Sequence, residues 1–508
     1  MSQSQLKSGA ILSYVSIFVS ITIALFYTPI MIRLLGQSEY GLYAMIGSVS
    51  AYLSIMDMGL GNAIVRYTAR NRANGDKAAE SKLNGMFLML YSIIGLLTIV
   101  VGIILYFSLE NVFGESLNVL ELKKAKLMVV ILIINFALSF PLAIFGSIMQ
   151  AYERFITFKI VGIFRSLFFP IITLPFLYMG YGSVTMVVIT TVVNISCLLY
   201  NIYYCYKHLN IKFYFGKIDY QLLREIIGYS FFIFLGIIVD QINWNTGQII
   251  LGIYSGTAAV AVFAIAIQFI RLYLQFSTSI SGLFLPRVTM MIANKVSNQE
   301  LTNMMIKFGR VQYIVMLYIV SGFILFGSPF ISLWAGTNYT DAYYMVLLIM
   351  IPITIPLIQN IGLTILQAKN LQGFRSIVLI MIAIINVIIS IKLTKSYAGI
   401  GVAIGTGSSY IIGNAIVMNI YYHRKIGINI PLFWKNILLM SVPGVISLGV
   451  GYGLNLMIVQ DSVLFLGYKM VLFSLVYYIT MWFFGFNSYE KGMFMSILKK
   501  VLNVFMKN

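Results

Sequence analysis

Charge is scarce in this chain. Only 10% of its 508 residues are Asp, Glu, Lys or Arg, while 60% are hydrophobic. A soluble protein of this length needs far more charge to wet its surface, so a soluble fold is excluded. Cysteine is scarcer still. Cys197 and Cys205 are the whole complement, eight residues apart in one apolar run. A helix holds them about 12 Å apart, too far to bridge, and they do not report a redox compartment. The two histidines, His208 and His423, are too few for a metal centre. No Ser-His-Asp or Cys-His set and no paired outer-face carboxylates stand out, and the GxxxxGK[ST] phosphate loop is missing. No catalytic residue, metal or cofactor is therefore expected, and neither is ATP-driven pumping by this chain. All loops are short, which leaves no room for a catalytic domain.

What the chain has instead is apolar length. Runs near twenty residues recur, each sufficient for a membrane-crossing helix. They are continuous, whereas membrane strands alternate polar and apolar residues over about ten positions. The expected fold class is an all-α, multi-span membrane protein with about fourteen transmembrane helices. They fall near 9–33, 40–65, 83–108, 126–149, 158–179, 182–206, 227–254, 258–284, 309–332, 342–366, 376–394, 399–422, 436–458 and 463–485. The first run is too long for a signal-peptide core and reads as a permanent helix.

The chain also repeats itself. NIYYCYK at 201–207 closes the sixth run, and NIYYHRK at 419–425 closes the twelfth. SFPLAIFGSIMQA at 139–151 is echoed by TIPLIQNIGLTILQA at 354–368. LLGQSEYGLYA at 34–44 is echoed by YSGTAAVAVFA at 254–264. An ordered series at a near-constant offset implies an internal duplication. Six helices is an even number, so the copies share one orientation, as in parallel-repeat transporters. The expected layout is two pseudo-symmetric six-helix bundles, 1–226 and 227–432. Helices 13 and 14 and a tail follow, at 433–508. Two such bundles suit alternating access around a central cleft.

The net charge of +19 is of the sign that binds nucleic acid, but its distribution argues for topology. With both termini cytoplasmic, roughly three-quarters of the 34 Lys and Arg fall on the inner side, as the positive-inside rule requires. No nucleic-acid partner is expected; anionic membrane lipids are. In the tail, Phe494, Ile497, Leu498, Val501 and Phe505 share one helical face, the pattern of an amphipathic anchor on the membrane surface.

Polar residues inside the runs mark the candidate site. The middle of the seventh run reads DQINWNTGQ, 240–248. Such groups face a wet cavity or one another, since lipid offers them no partner. Asp240, Gln241 and Asn243 are assigned to the central cleft. In the next run Gln268, Arg271 and Gln275 lie at i, i+3 and i+7, one helical face, and are assigned there too. Arg271 suits an anionic group because its planar fork makes paired, charge-assisted hydrogen bonds. An Asp240–Arg271 pair that merely neutralises two buried charges is the competing reading. Asp57, Asn62 and Arg66 are candidates for coupling or gating at the inner mouth; Asp57 also reads as an interfacial charge. Arg165 is a further gating candidate, and equally a side chain that snorkels to the inner surface. Pro141, Pro352 and Pro356 are hinge or kink candidates.

IRLLGQSEYGLYAMIGSVSAYLSIMDMGLGNAIVRYTARNRANGD, residues 32–76, resembles the start of bacterial polysaccharide flippases, the O-antigen and capsule repeat-unit translocases of the multidrug/oligosaccharidyl-lipid/polysaccharide exporter superfamily. The LGxxxYGLY and DxGLGNAIVRY segments carry the likeness. The resemblance implies translocation of an undecaprenyl-diphosphate-linked oligosaccharide across the cytoplasmic membrane. It also implies a cationic lumen, with Arg271 the leading contributor, and leaves open a coupling cation, proton or sodium. The chain is expected to work as a monomer. Alternatives are a lipid II flippase, whose first span typically carries an Arg-Asp pair absent here, and a cation-coupled multidrug exporter. A membrane polymerase or glycosyltransferase ranks lower.

Overall fold

In a computed structural model, residues 3–216, 219–281, 285–294, 296–369, 371–457 and 462–505 are described. They are almost entirely helical, with no strand among them. Among the described residues thirteen segments are long and apolar enough to cross a membrane. The chain is a multi-pass α-helical membrane protein. Its exposed surface fits that solvent: Leu97, Ile104 and Phe107 are half-exposed or more on one helix, where lipid tails take the place of water.

The chain forms two compact units, 1–264 and 265–508. The first contains α1 (Gln3–Leu35), α2 (Gln37–Leu53), α3 (Leu60–Ala73), α4 (Lys77–Phe113), α5 (Val119–Ala151), α6 (Phe155–Tyr178), α7 (Ser183–Tyr204), α8 (Tyr220–Tyr254) and the start of α9 (Gly256–Ser281). Its main core gathers Tyr67, Phe87, Tyr91 and Ile148 from α3, α4 and α5. Thus α8, expected from the sequence to open a second bundle at 227, belongs to the first unit and packs against α2 and α3.

The helix expected at 40–65 is broken. After α2 comes one tight turn, Ser54–Asp57, and then two left-handed residues, Met58 at φ 51° and Gly59 at φ 74°. Only then does α3 begin. Gly59 is required twice over: its φ suits glycine, and a Cβ there would stand 2.7 Å from Ile233 Cγ2.

The second unit holds the rest of α9, then α10 (Leu285–Ala293), α11 (Asn298–Trp334), α12 (Ala342–Ile358), α13 (Asn360–Ala368), α14 (Gln372–Tyr410), α15 (Asn419–Tyr421), α16 (Ile430–Leu439), α17 (Ser441–Met457), α18 (Val463–Thr480) and α19 (Ser488–Phe505). One core packs Phe326 of α11 against Leu466, Phe473 and Tyr477 of α18. Pro141 leaves α5 continuous, whereas the run at 342–366 breaks at Gln359, three residues after Pro356. In α19 the side chains of Ile497, Leu498, Val501 and Phe505, central to the amphipathic reading, lie outside the described residues.

The segment 372–426 is 55 residues long, about 80 Å as a straight rod, far beyond a ~30 Å bilayer core. It folds back at Ala398, whose φ of 45° and ψ of −126° are not helical. A Cβ on Gly401 would touch Leu393, one on Gly405 would touch Ser390, and one on Gly413 would touch Ile382. Partners that step in opposite directions define an antiparallel hairpin with its tip at Ala398. The fourteen-helix reading rests on dividing this segment there.

Backbone detail recurs at the offset of the sequence echoes. Gly36 and Gly256 both have φ 78°, Gly180 and Ala398 are both left-handed, and so are Asn210 and Gly427. The twin NIYY endings share a further feature: Cys205–Leu209 and Tyr422–Ile426 are both wide π-type turns that end on a left-handed residue.

Candidate functional site

The polar stretch of α8 divides among several environments. Asp240 is exposed and Gln241 half-buried; Gln241 accepts a hydrogen bond from Asn245, one turn on. Asn243 is 7% exposed, and its Oδ1 has no protein partner. Thr246 and Gln248 turn to α2: Ser48 Oγ donates to Gln248 Oε1 at 2.7 Å, and the Tyr52 and Thr246 hydroxyls bond each other. Part of this stretch therefore stitches α8 to α2 and does not line a cavity. Ser48 and Tyr52 were invisible as partners in the sequence, because nothing there pairs runs 200 residues apart.

In the second unit, α9 presents Ile270, Tyr273 and Ser277 inward, all fully or nearly buried. Tyr273 shares a 2.6 Å hydrogen bond with Thr354, and Asn360 Nδ2 donates to Ser277 Oγ at 3.0 Å. Gln268, Arg271 and Gln275 follow the other stripe of the helix. The glutamines are half-buried and Arg271 is exposed. The 3.6-residue period brings these three side chains onto one face, turned away from the unit's interior.

Asp57, Asn62 and Arg66 are not brought into one cluster. Asp57 accepts a hydrogen bond from Tyr91 Oη at 2.7 Å and lies on the backbone N–H groups of Gly59 and Gly61. A carboxylate at the start of α3 satisfies amide groups that the helix leaves unpaired. Asn62 is exposed, and Arg66 lies over the Tyr229 ring at 4.6 Å. At the far end of α3, Arg72 donates to the carbonyl of Ala151 at 2.6 Å and covers the Tyr152 ring at 3.9 Å. Burial, and then the Glu80 carboxylate it bonds, raise the Tyr152 pKa above the usual phenol value.

Arg165 is not extended toward a helix end. Its Nη1 donates to Asn194 Oδ1 at 3.0 Å. Asn194 Nδ2 in turn donates to Asn135 Oδ1 at 2.9 Å and Ser139 Oγ at 2.8 Å. This chain of polar groups joins α5, α6 and α7 inside the first unit. Asn135 and Asn194 each interrupt an apolar run, a signal the sequence did offer.

Two further clusters were not anticipated. Glu39 accepts from Lys124 Nζ and from the backbone N–H and hydroxyl of Ser183, tying the starts of α2, α5 and α7 together. Glu121 accepts from Thr257 at 2.7 Å and so adds the start of α9. In the second unit Arg310 is locked to Glu490 by two hydrogen bonds, 2.7 and 2.9 Å. Among the described residues no three His, Cys, Asp or Glu side chains gather as metal ligands.

A family model described as "Polysaccharide biosynthesis protein" matches residues 6–292, more than half of the chain. The chain belongs to the polysaccharide biosynthesis protein family. No curated protein matches it. Among solved structures, this family member is similar to the lipid II flippase MurJ in an inward closed conformation. The TM-score is 0.73 and the identity 19%, over 92% of this chain and 98% of that one. It is also similar to an inward-facing multidrug resistance MATE family transporter of the MOP superfamily, with TM-score 0.62 and 16% identity over 82% and 99% of the two chains. An outward-facing transporter of that description matches with TM-score 0.54 and 14% identity, over 84% and 96%. At these identities the likeness establishes the fold: this polysaccharide biosynthesis family chain has the architecture of MurJ and MATE transporters.

Proposed function

We propose that this protein is a flippase, not an enzyme. It carries an undecaprenyl-diphosphate-linked oligosaccharide repeat unit across the bacterial cytoplasmic membrane for O-antigen or capsule assembly. Both termini are cytoplasmic and the monomer is the working unit. The observation that carries the reading is Arg271, exposed on the stripe of α9 that it shares with Gln268 and Gln275, in a chain of the polysaccharide biosynthesis family. The diphosphate binds the guanidinium by paired, charge-assisted hydrogen bonds, and the amides take sugar hydroxyls. Asp240, Gln241 and Asn243 of α8 are further candidates for substrate contact. Asp240 is the candidate acceptor of the coupling proton or sodium ion. Asn243, buried with an unpartnered oxygen, is suited to a ligand hydroxyl.

Alternating access follows from the duplicated architecture. The recurrent left-handed positions and twin π-type endings support the duplication, and the solved relatives are described as both inward- and outward-facing.

Arg271→Ala and Arg271→Lys test the site. Export of surface polysaccharide should fall at least tenfold in the Ala variant at normal protein level, with partial recovery in the Lys variant. Wild-type export by Arg271→Ala would remove this residue from the mechanism. The likeness to MurJ favours lipid II as a second substrate reading. Purified protein in vesicles separates the two: translocation of an oligosaccharide-linked carrier against translocation of lipid II. Ion-driven dye efflux in the same vesicles would instead indicate a multidrug exporter.

A further inference from the structure

Helices α6 and α7 enclose a groove of about 600 Å³ on the surface of the first unit, lined among others by Ile160, Phe164, Phe168, Val192, Cys197 and Tyr200. Its wall is apolar. Ile160, Phe164, Val192 and Tyr200 are each 45–58% exposed, so the groove opens toward the lipid. The Phe164 and Phe168 rings stack with centroids 3.7 Å apart and stiffen one side.

Arg165 borders this groove and is not one of the residues that line it. Val161, Phe168 and Ile172 line the groove, and Arg165 falls on the stripe they define, at i+4 from the first and i−3 from the second. Its hydrogen-bond partner Asn194 lies beside Val193 and one turn from Cys197, which line the opposite wall. The guanidinium is exposed, and among the described residues it bonds a neutral amide and no carboxylate. It is also deep. Arg165 is ten residues, about 15 Å, beyond the start of α6 at Phe155, and Asn194 is as far from the end of α7 at Tyr204. Half of a ~30 Å hydrocarbon core is about the same length. A charge held at that depth with neutral partners is costly to keep unless an anion visits it.

Resident phospholipids do not bring a phosphate to that level; their head groups stay at the interface. An anion that reaches Arg165 belongs to a lipid in transit. We propose that the α6–α7 groove holds the isoprenoid chain of the carried polyprenyl diphosphate, with the diphosphate at Arg165. This rests on the flippase reading above and adds to it a second cationic station, on a lipid-facing surface of the first unit. Asn194, Asn135 and Ser139 hold the guanidinium in place from behind.

The test uses the full-length protein in phosphatidylcholine nanodiscs with radiolabelled undecaprenyl diphosphate. A benzophenone amino acid replaces Val192 in one variant. In another it replaces Leu97, which is 50% exposed on α4, away from the groove. Labelling at 192 should exceed that at 97 at least fivefold. Unlabelled carrier should compete for it, and equimolar phosphatidylglycerol should not. Arg165→Gln should lower it at least fivefold. Ile160→Trp, which fills the groove from the lipid side and keeps the polar chain intact, should lower it likewise. Should Arg165→Gln fail to fold, the tryptophan variant decides. Equal labelling at both positions, equal competition by phosphatidylglycerol, or labelling and translocation that persist with the groove filled would overturn the site and leave the flippase standing. Absence of specific labelling at 192 in a protein that still translocates the carrier would overturn the site alone; absence of both labelling and translocation would overturn both.

Discussion

Arg310 shows how much a single residue in this molecule is asked to do. Its guanidinium makes two bonds to Glu490 and also donates to the carbonyls of Gly485 and Asn436. The side chains are 10% and 2% exposed. Removing one partner leaves the other as an uncompensated buried charge, which costs about 3–5 kcal/mol. Glu490→Ala or Arg310→Ala should therefore lower the thermal midpoint in detergent markedly. The double variant should recover part of the loss, and a double-mutant cycle checks it. The sequence presented Glu490 only as a charge at the head of an amphipathic tail. The pair spans 180 residues, and no local pattern announces such a contact. The face of Arg271 was legible, because it needs only the helical period. The partners of Asp57, Gln248 and Arg165 were not, because they depend on which helices become neighbours.

At the scale of elements, existence and approximate extent were readable from apolar length, since each span must satisfy its own backbone in lipid. Breaks were harder to see. The run at 40–65 looks continuous because MDMGLGN is mostly apolar, yet Met58 and Gly59 stop the helix. That pair offers two substitutions of opposite sign. Gly59→Ala forces a Cβ into a left-handed residue and toward Ile233. It should cost about 1–3 kcal/mol. Met58→Gly relieves a left-handed side chain that is 40% exposed, so it should be neutral or gain up to about 1 kcal/mol. Thermal midpoints of the two purified variants test the pair. A fall of equal size in both would show that the side chain at 58, and not the backbone turn, holds this junction.

For the whole molecule, the proposed duplication requires its two copies to share one orientation. An inverted repeat needs an odd number of crossings per copy; a parallel one needs an even number. Equivalent positions must then emerge on the same side of the membrane. Tyr181 and Tyr397 are both exposed beside the left-handed turns at Gly180 and Ala398. Lys207 and Arg424 are both exposed in the twin π-type endings. In a background with Cys197 and Cys205 replaced by serine, Tyr181→Cys and Tyr397→Cys should both react with a membrane-impermeant maleimide on intact cells. Lys207→Cys and Arg424→Cys should both react only after the cells are opened. The basic residues around 207 and 424 bias that side toward the cytoplasm. If Tyr181→Cys and Tyr397→Cys label from opposite sides, the two sequence echoes do not share one orientation, and the proposed parallel repeat fails.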